Sequence, residues 1–243
     1  MVLFLTSSPT GPLDNSRVVD GLDNMNNFAE NLKKYWKADA KVLYMTATPL
    51  DTALNDEIAA GMKELFTKEG LVYSAFDVCD VRMGDIAKAV LHSYDVIIIG
   101  GGHVPTQNRY FAGLTLRDKM IGYDGMVIGI SAGAINATDV VYSQPELEGE
   151  AVAKFYVKFC KGLNLTKIKV LPHYQMTKDK VLDGMKLFED ITYKDSMTHE
   201  FIALPDGSYI LGDNGVETVY GEAYMIKDGV LTQICKEGET YQF

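Results

Sequence analysis

Five short apolar segments recur along the first half of the chain, and they restrict its fold more than any other feature. They are Val2–Leu5, Val42–Met45, Val72–Phe76, Val96–Ile99 and Val127–Ile130. Runs of this kind, several of them β-branched, are typical of strands buried on both faces of a parallel sheet. The stretches between them carry apolar residues at helical spacing, for example Ile58, Met62, Leu65 and Phe66. The alternation predicts repeated βαβ units.

The predicted architecture is therefore an α/β fold with a mostly parallel, doubly wound sheet flanked by helices. In such folds, ligands bind beyond the carboxyl ends of the strands. After about Asp139 the pattern predicts one more strand near Ile168–Leu171 and a helix near Lys180–Ile191. Turn dipeptides such as Asp206-Gly207 then predict antiparallel strands near the C-terminus. Because no Pro/Gly-rich linker divides the chain, residues 1–243 are expected to form a single domain.

The charge balance excludes several classes of partner. The chain has 33 Asp and Glu against 23 Lys and Arg, a formal net charge of −10. A surface of this sign repels phosphate backbones and anionic lipids, so neither nucleic acid nor a membrane is expected as a partner. No apolar run reaches the ~18 to 20 residues that cross a bilayer, and the first eight residues lack the features of a secretory signal. We expect a cytoplasmic protein, and the scattered Cys79, Cys160 and Cys235 suit a reducing compartment.

The segment Gly129–Ala134 reads G-I-S-A-G-A and directly follows a predicted strand. It fits the G-x-S-x-G nucleophile elbow, in which the serine lies on a sharp strand-to-helix turn. Ser131 is then the candidate nucleophile, and the backbone N–H of Ala132 is a candidate donor to an oxyanion. The alternative is that Ser131 is only the N-cap of an ordinary helix after a strand.

A second glycine-rich turn, Gly100–Gly102, follows the strand Val96–Ile99 and is expected at the same sheet edge. The amides of Gly101 and Gly102 are candidates to complete an oxyanion hole, because glycine lets the backbone approach a substrate closely. The alternative is a turn that binds nothing. The segment is not a dinucleotide-binding fingerprint, since Pro105 stands where G-x-G-x-x-G needs its third glycine. No cofactor is predicted.

A serine nucleophile needs a base, and the chain has four histidines. His173 follows the strand Lys167–Leu171 and should lie at the catalytic sheet edge. His92 ends a helical stretch and suits a C-cap, whereas His199 precedes a strand and should lie at the opposite edge. His103 follows the glycines too closely to be a clear base. Because the histidines lack close spacings such as H-E-x-x-H, no metal site is predicted.

These motifs together resemble the peptidase E and cyanophycinase family of serine peptidases, whose fold is related to class I glutamine amidotransferases. The resemblance covers most of the chain. It implies that the glycine turn contributes to the oxyanion hole, that Ser131 is the nucleophile and that His173 is the base. It further implies that Asp206, in the turn Leu204-Pro205-Asp206-Gly207, orients the base. Without the resemblance, Asp206 would be a routine turn residue.

The sequence departs from the family pattern in two places. His103 stands where the family has asparagine after the glycines, which implies a substrate contact near the oxyanion hole. Lysines in the segment Lys178–Lys186 stand where peptidase E has an arginine-bearing segment. Because lysine lacks the bidentate fork of arginine, no preference for N-terminal aspartate is predicted.

The favoured function is hydrolysis of short peptides, as in a dipeptidase or exopeptidase, by a Ser131, His173 and Asp206 triad. The acidic segment Glu146–Glu150 either is a solvated loop or borders the cleft, where it would attract a free α-amino group. The alternative function is a non-catalytic, amidotransferase-like module that binds a small molecule or a protein. Glutaminase activity is not expected, because the glutaminase nucleophile is cysteine. The oligomeric state stays open, with a homodimer as one candidate.

Overall fold

The computed structural model of the protein describes residues 1–11 and 21–243. The strands are β1 Val2–Thr6, β2 Ala40–Met45, β3 Tyr73–Cys79, β4 Val96–Ile99, β5 Met126–Ile130, β6 Val140–Tyr142, β7 Phe159–Lys161, β8 Val170–Leu171, β9 Val181–Leu182, β10 Met185–Lys186, β11 Phe201–Ala203, β12 Tyr209–Asp213, β13 Val216–Tyr220, β14 Ala223–Lys227, β15 Val230–Cys235 and β16 Thr240–Gln242. The α-helices are α1 Phe28–Tyr35, α2 Thr52–Lys68, α3 Lys88–Leu91, α4 Val104–Gly113, α5 Leu116–Lys119, α6 Ala132–Asn136, α7 Tyr174–Thr177 and α8 Tyr193–Asp195. A 3₁₀ turn at Met25–Asn27 precedes α1, and a π-helical turn at Leu187–Thr192 precedes α8.

An eight-stranded sheet forms the centre of the fold, in the order β16-β13-β12-β1-β5-β4-β2-β3. The five strands predicted in the first half pair in parallel, while β12, β13 and β16 join antiparallel. The predicted α/β fold with antiparallel strands near the C-terminus is confirmed. The third strand begins one residue later than predicted and extends to Cys79.

Strand β4 shows why continuous apolar runs suit this sheet. All four of its residues are buried, with Ile97 and Ile99 packed into one core and Val96 and Ile98 into the other. Helices α1 and α2 cover the second core, and α3 to α6 contribute to the first. Both faces of the sheet therefore exclude water, as a doubly wound arrangement requires.

The prediction of a helix near Lys180–Ile191 is wrong. The chain instead forms the hairpin β9–β10, then the π-helical turn and α8. The reason lies in Asp183-Gly184, whose φ values of 53° and 78° suit a hairpin turn rather than a helix. The Asp183 carboxylate also accepts hydrogen bonds from the amides of Gly149 and Ala151, which ties the hairpin to the acidic loop.

The last third of the chain divides between two sheets. Strand β8, expected in the central sheet, lies instead in a separate four-stranded sheet in the order β15-β14-β11-β8. The Asp206-Gly207 turn therefore does not close a hairpin but carries the chain from β11 of the small sheet to β12 of the large one. Cys79, Cys160 and Cys235 are all free. In residues 1–11 and 21–243 we find no helix of the length and apolarity needed to cross a membrane.

Candidate active site

Ser131 occupies the turn between β5 and α6 with φ 50° and ψ −112°, a backbone conformation that L-residues rarely adopt. Two backbone hydrogen bonds hold it there. The Ser131 N–H donates to the Thr6 carbonyl at 2.9 Å, and its carbonyl accepts from the Ile135 N–H at 3.1 Å. Strain of this kind costs ~1 to 3 kcal/mol and persists only where the surroundings fix the backbone.

The two glycines of the G-x-S-x-G segment are required by close packing. A Cβ at Gly129 would lie 3.0 Å from the backbone N of Ala134. A Cβ at Gly133 would lie 2.0 Å from the carbonyl oxygen of Ile99, at the end of β4. Helix α6 thus begins almost in contact with the sheet backbone, which produces the sharp turn at Ser131.

Gly133→Ala is expected to reduce the free energy of unfolding by ~3 kcal/mol or more, because the two nearest atoms it would meet are backbone atoms of Ile99, which cannot rotate away. Gly61→Ala in the middle of α2 is the matched control: nothing lies within 4 Å of its added Cβ. That change should stabilise the protein by ~0.5 to 1 kcal/mol. Urea unfolding of both variants checks the difference, and equal midpoints would contradict the packing argument.

The His173 imidazole lies between Ser131 and Asp206. Its Nε2 is 2.9 Å from the Ser131 Oγ, and its Nδ1 is 2.7 Å from the Asp206 Oδ1. With the proton on Nδ1 donated to Asp206, Nε2 accepts from the serine hydroxyl. The His173 side chain is 20% exposed and that of Asp206 is 0% exposed. The structure thus brings together the three side chains that the motifs indicated.

Ser7 explains how His173 reaches the edge of the central sheet although β8 belongs to the small sheet. The buried Ser7 directly follows β1, and its hydroxyl donates to the Leu204 carbonyl at 3.0 Å. The same oxygen accepts from the His173 N–H at 3.1 Å. One hydroxyl therefore joins both segments that carry the base and the acid to the strand beside β5. Ser7 is not among the residues that the motifs predicted; its position immediately after a strand was the available signal.

Gln175 is a second residue that the sequence analysis missed. Its side-chain Nε2 donates to the Asp206 Oδ2 at 2.7 Å, and its Oε1 accepts from the Asp206 N–H at 3.0 Å. No motif signals this contact, since Gln175 is an ordinary polar residue two positions after His173.

The glycine turn lies against Ser131. A Cβ at Gly101 would be 3.3 Å from the Ser131 Cβ and 3.9 Å from its Oγ, so a side chain there would crowd the serine. Gly102 has φ 143°, and a Cβ there would meet the Ala47 Cβ at 2.6 Å. Within residues 1–11 and 21–243, the amides of Gly101, Gly102 and Ala132 donate to no protein acceptor. All three predicted oxyanion donors are thus available.

His103 is held by the protein at both ring nitrogens. Nδ1 lies 2.8 Å from the Thr106 Oγ1, and Nε2 lies 2.9 Å from the Glu150 Oε1. This contact places the acidic loop directly beside the glycine turn. Because both nitrogens have partners, a direct hydrogen bond from the ring to a substrate requires one of these contacts to break.

The two carboxylates of the acidic loop differ in environment. Burial raises the pKa of Glu146, although His103 and the Val104 amide oppose the shift. Burial also acts to raise the pKa of Glu150, but the amides of Glu146 and Leu147, together with His103, lower it overall. Glu150 accepts both amides through Oε2 at 2.9 and 3.0 Å. These hydrogen bonds order the loop, and the contact between Glu150 and His103 holds it against the glycine turn.

The remaining histidines lie away from the serine. His92 ends α3, as expected, and its Nε2 lies 2.8 Å from the Lys119 carbonyl. The His199 ring packs against the Phe159 ring at a centroid distance of 4.1 Å and an interplanar angle of 33°. Burial, assisted by Lys169, lowers the pKa of His199. In the described part of the chain no group of three or more His, Cys, Asp or Glu side chains is arranged to hold a metal ion.

The arrangement supplies what acyl transfer requires: a serine hydroxyl bonded to an imidazole, a carboxylate on the opposite ring nitrogen, and free backbone amides beside the serine. The same constellation recurs on unrelated folds, so it is identified by geometry rather than by position in the sequence.

Comparison with known proteins gives a family. The sequence profile of peptidase family S51 matches residues 15–219. Among solved structures, a protein from Listeria monocytogenes EGD-e that is provisionally named a peptidase E is similar over 100% of this chain and 97% of its own, with a TM-score of 0.53 and 15% sequence identity. At this identity the likeness supports the fold alone. No curated protein matches the sequence. Because the profile spans most of the chain, this protein belongs to peptidase family S51 and is a serine peptidase.

Proposed function

We propose that Ser131, His173 and Asp206 are the catalytic triad and that the enzyme hydrolyses short peptides. The observation that carries this proposal is the continuous line of hydrogen bonds from Asp206 Oδ1 through the imidazole to Ser131 Oγ, at 2.7 and 2.9 Å. A serine that is only an N-cap would direct its hydroxyl to a helix amide, and Ser131 makes no such bond.

The geometry supports a two-step acyl transfer. Ser131 Oγ attacks the peptide carbonyl while His173 Nε2 takes its proton, and the C–N bond breaks as the same nitrogen returns the proton to the leaving amine. Water then attacks the acyl-enzyme with His173 again acting as base. The amides of Gly101, Gly102 and Ala132 stabilise the oxyanion, and Asp206 keeps the imidazole oriented and stabilises its charged form.

A fluorophosphonate probe tests whether Ser131 is an activated nucleophile. We expect stoichiometric labelling that maps to the peptide containing Ser131, and loss of labelling in His173→Ala. His199→Ala is the matched control and should label at the wild-type rate. A non-catalytic binding module would show no labelling in any variant.

The acidic loop supports a preference for substrates with a free N-terminus. Its Glu150 bonds to His103, which immediately follows the proposed oxyanion donors. Carboxylates at this position attract an α-ammonium group, and the attraction is screened over a Debye length of ~8 Å at physiological ionic strength. We therefore propose exopeptidase action on short peptides.

Short peptides with a free N-terminus should be cleaved at least ~10-fold faster than their N-acetylated analogues, with negligible digestion of folded proteins. Glu150→Gln should reduce this discrimination, whereas Glu148→Gln, on the exposed part of the same loop, should retain it. Mass spectrometry of a peptide-library digest provides the measurement. Efficient internal cleavage of long, N-blocked peptides would rule out the exopeptidase proposal.

A further inference from the structure

Gln175 is exposed at the surface, yet both polar atoms of its side chain are directed at the buried Asp206. We propose that Gln175 is a positioning residue that fixes the Asp206 carboxylate and thereby holds its Oδ1 against the His173 imidazole. This role rests on the proposed triad, and its test is designed to be read independently of turnover.

Gln175 and Asp206 each donate one hydrogen bond to the other, which fixes their relative orientation. Gln175 Nε2 donates to Oδ2 at 2.7 Å, while Asp206 N–H donates back to Gln175 Oε1 at 3.0 Å. The first bond restricts rotation of the carboxylate, and the second, from the backbone of the same residue, fixes the Gln175 amide that makes it. The other carboxylate oxygen, Oδ1, is thereby left facing His173 Nδ1 at 2.7 Å.

The location of Asp206 explains why such a restraint is needed. Asp206 lies on the turn that leaves the small sheet for the central sheet, next to Gly207 with φ 89°. His173 lies on another turn, after β8, and also has a positive φ of 57°. Gln175 belongs to α7, the helix that His173 caps, so its side chain joins the acid directly to the segment of the base.

The chemistry of an amide suits this position. The Nε2 donor stabilises the ionised carboxylate while adding no net charge, so the negative charge of Asp206 remains available to His173. A second carboxylate, the buried Asp23, lies beside this turn, with its Oδ2 3.2 Å from the place where a Cβ of Gly207 would stand. A carboxylate at position 175 would therefore be added to a turn that already has two.

Two variants of nearly the same size separate positioning from simple packing. Gln175→Met removes both hydrogen bonds, and we expect kcat/KM to fall by ~10-fold because the carboxylate loses a contact that orients it toward His173. Gln175→Glu places a carboxylate against Asp206 Oδ2, and we expect a fall of ~100-fold. Met176→Ala, an exposed change on the same helix, is the control and should retain wild-type rates.

The pH dependence of kcat/KM separates the two roles of Gln175, because a purely structural role would leave it unchanged. Extra negative charge beside the triad stabilises the His173 imidazolium, so the ring keeps its proton up to a higher pH. In Gln175→Glu the acidic limb of the kcat/KM profile should shift upward by about one pH unit. Gln175→Met adds no charge and lets the carboxylate turn away from the ring, so its acidic limb should move downward instead.

The same shift can be read without any turnover by following the His173 imidazole in NMR titrations of Ser131→Ala, with and without Gln175→Glu. An upward shift supports the inference even if the wild-type enzyme hydrolyses none of the peptides tried, an outcome that would count against the proposed function alone. An imidazole titration unchanged in both Gln175 variants would overturn the inference, and so would kcat/KM within about twofold of wild type in Gln175→Met. If Gln175→Glu does not fold, the imidazole titration of Gln175→Met decides the question.

Discussion

Ser131→Ala is expected to lower kcat/KM by ~10⁴-fold or more, the scale on which loss of a triad nucleophile acts in other serine hydrolases. The reason is that the acyl-enzyme cannot form without Oγ, so the remaining machinery acts on water alone. The residual rate would come from the oxyanion donors and from substrate binding.

The fold should survive this change. Ser131 holds its turn through backbone atoms, by the bonds to Thr6 and Ile135, and its Oγ contacts His173. Alanine preserves those backbone bonds, so the free energy of unfolding should change by no more than ~1 kcal/mol. Steady-state kinetics and urea unfolding on the same purified sample measure both quantities.

Ser93→Ala is the matched control, because this exposed serine donates only to the Val90 carbonyl at the end of α3. It should retain the wild-type rate. Turnover retained by correctly folded Ser131→Ala protein would rule out the serine mechanism, whichever residues stand around it.

The buried strands and the turn at Ser131 were predictable because short stretches of sequence encode them. The run Val96–Ile99 is apolar on both faces because the strand is covered on both faces, and the prediction needed no knowledge of its neighbours. The G-x-S-x-G segment was equally informative. Its glycines are needed because α6 approaches β4 closely: a Cβ at Gly133 would lie 2.0 Å from the Ile99 carbonyl oxygen.

Contacts between distant segments were not predictable in the same way. The sequence shows a strand before His173 but gives no sign that it pairs with β11 rather than with the central sheet. The same limit applies to Ser7 and Gln175, which act through hydrogen bonds spanning 166 and 31 residues of sequence. A polar residue has no periodicity that reveals its partner, so such contacts appear only in the folded chain.

The acidic loop lies between these two cases, since its sequence suggested its possible positions but not its partner. Its charge suggested either a solvated loop or a border of the cleft, and nothing local decided between them. The contact that places the loop beside the glycine turn, Glu150 with His103, joins residues 47 apart. It gives His103, which the sequence suggested as a substrate contact, the second of its two protein partners.

His173→Ala is expected to reduce kcat/KM by ~10⁴-fold or more, whereas His199→Ala should leave it within about threefold of wild type. Only His173 contacts both Ser131 and an acid. An α/β-hydrolase chain order would instead use His199 with a preceding acid such as Asp190 or Asp195. Both are engaged elsewhere: Asp190 accepts a hydrogen bond from the Lys186 amide, and Asp195 contacts Lys158 and the Tyr142 hydroxyl.

The two histidine variants should therefore separate chemistry from packing. His199 contacts the rings of Phe159 and Phe201, so its loss should cost ~0.5 to 1.5 kcal/mol of stability without altering the serine. His173→Ala should lose fluorophosphonate labelling as well as turnover, because Ser131 is no longer activated. The opposite pattern, with His199→Ala inactive and His173→Ala active, would require a different base and a different acid. It would also mean that the hydrogen bonds linking Ser131, His173 and Asp206 do not carry the reaction.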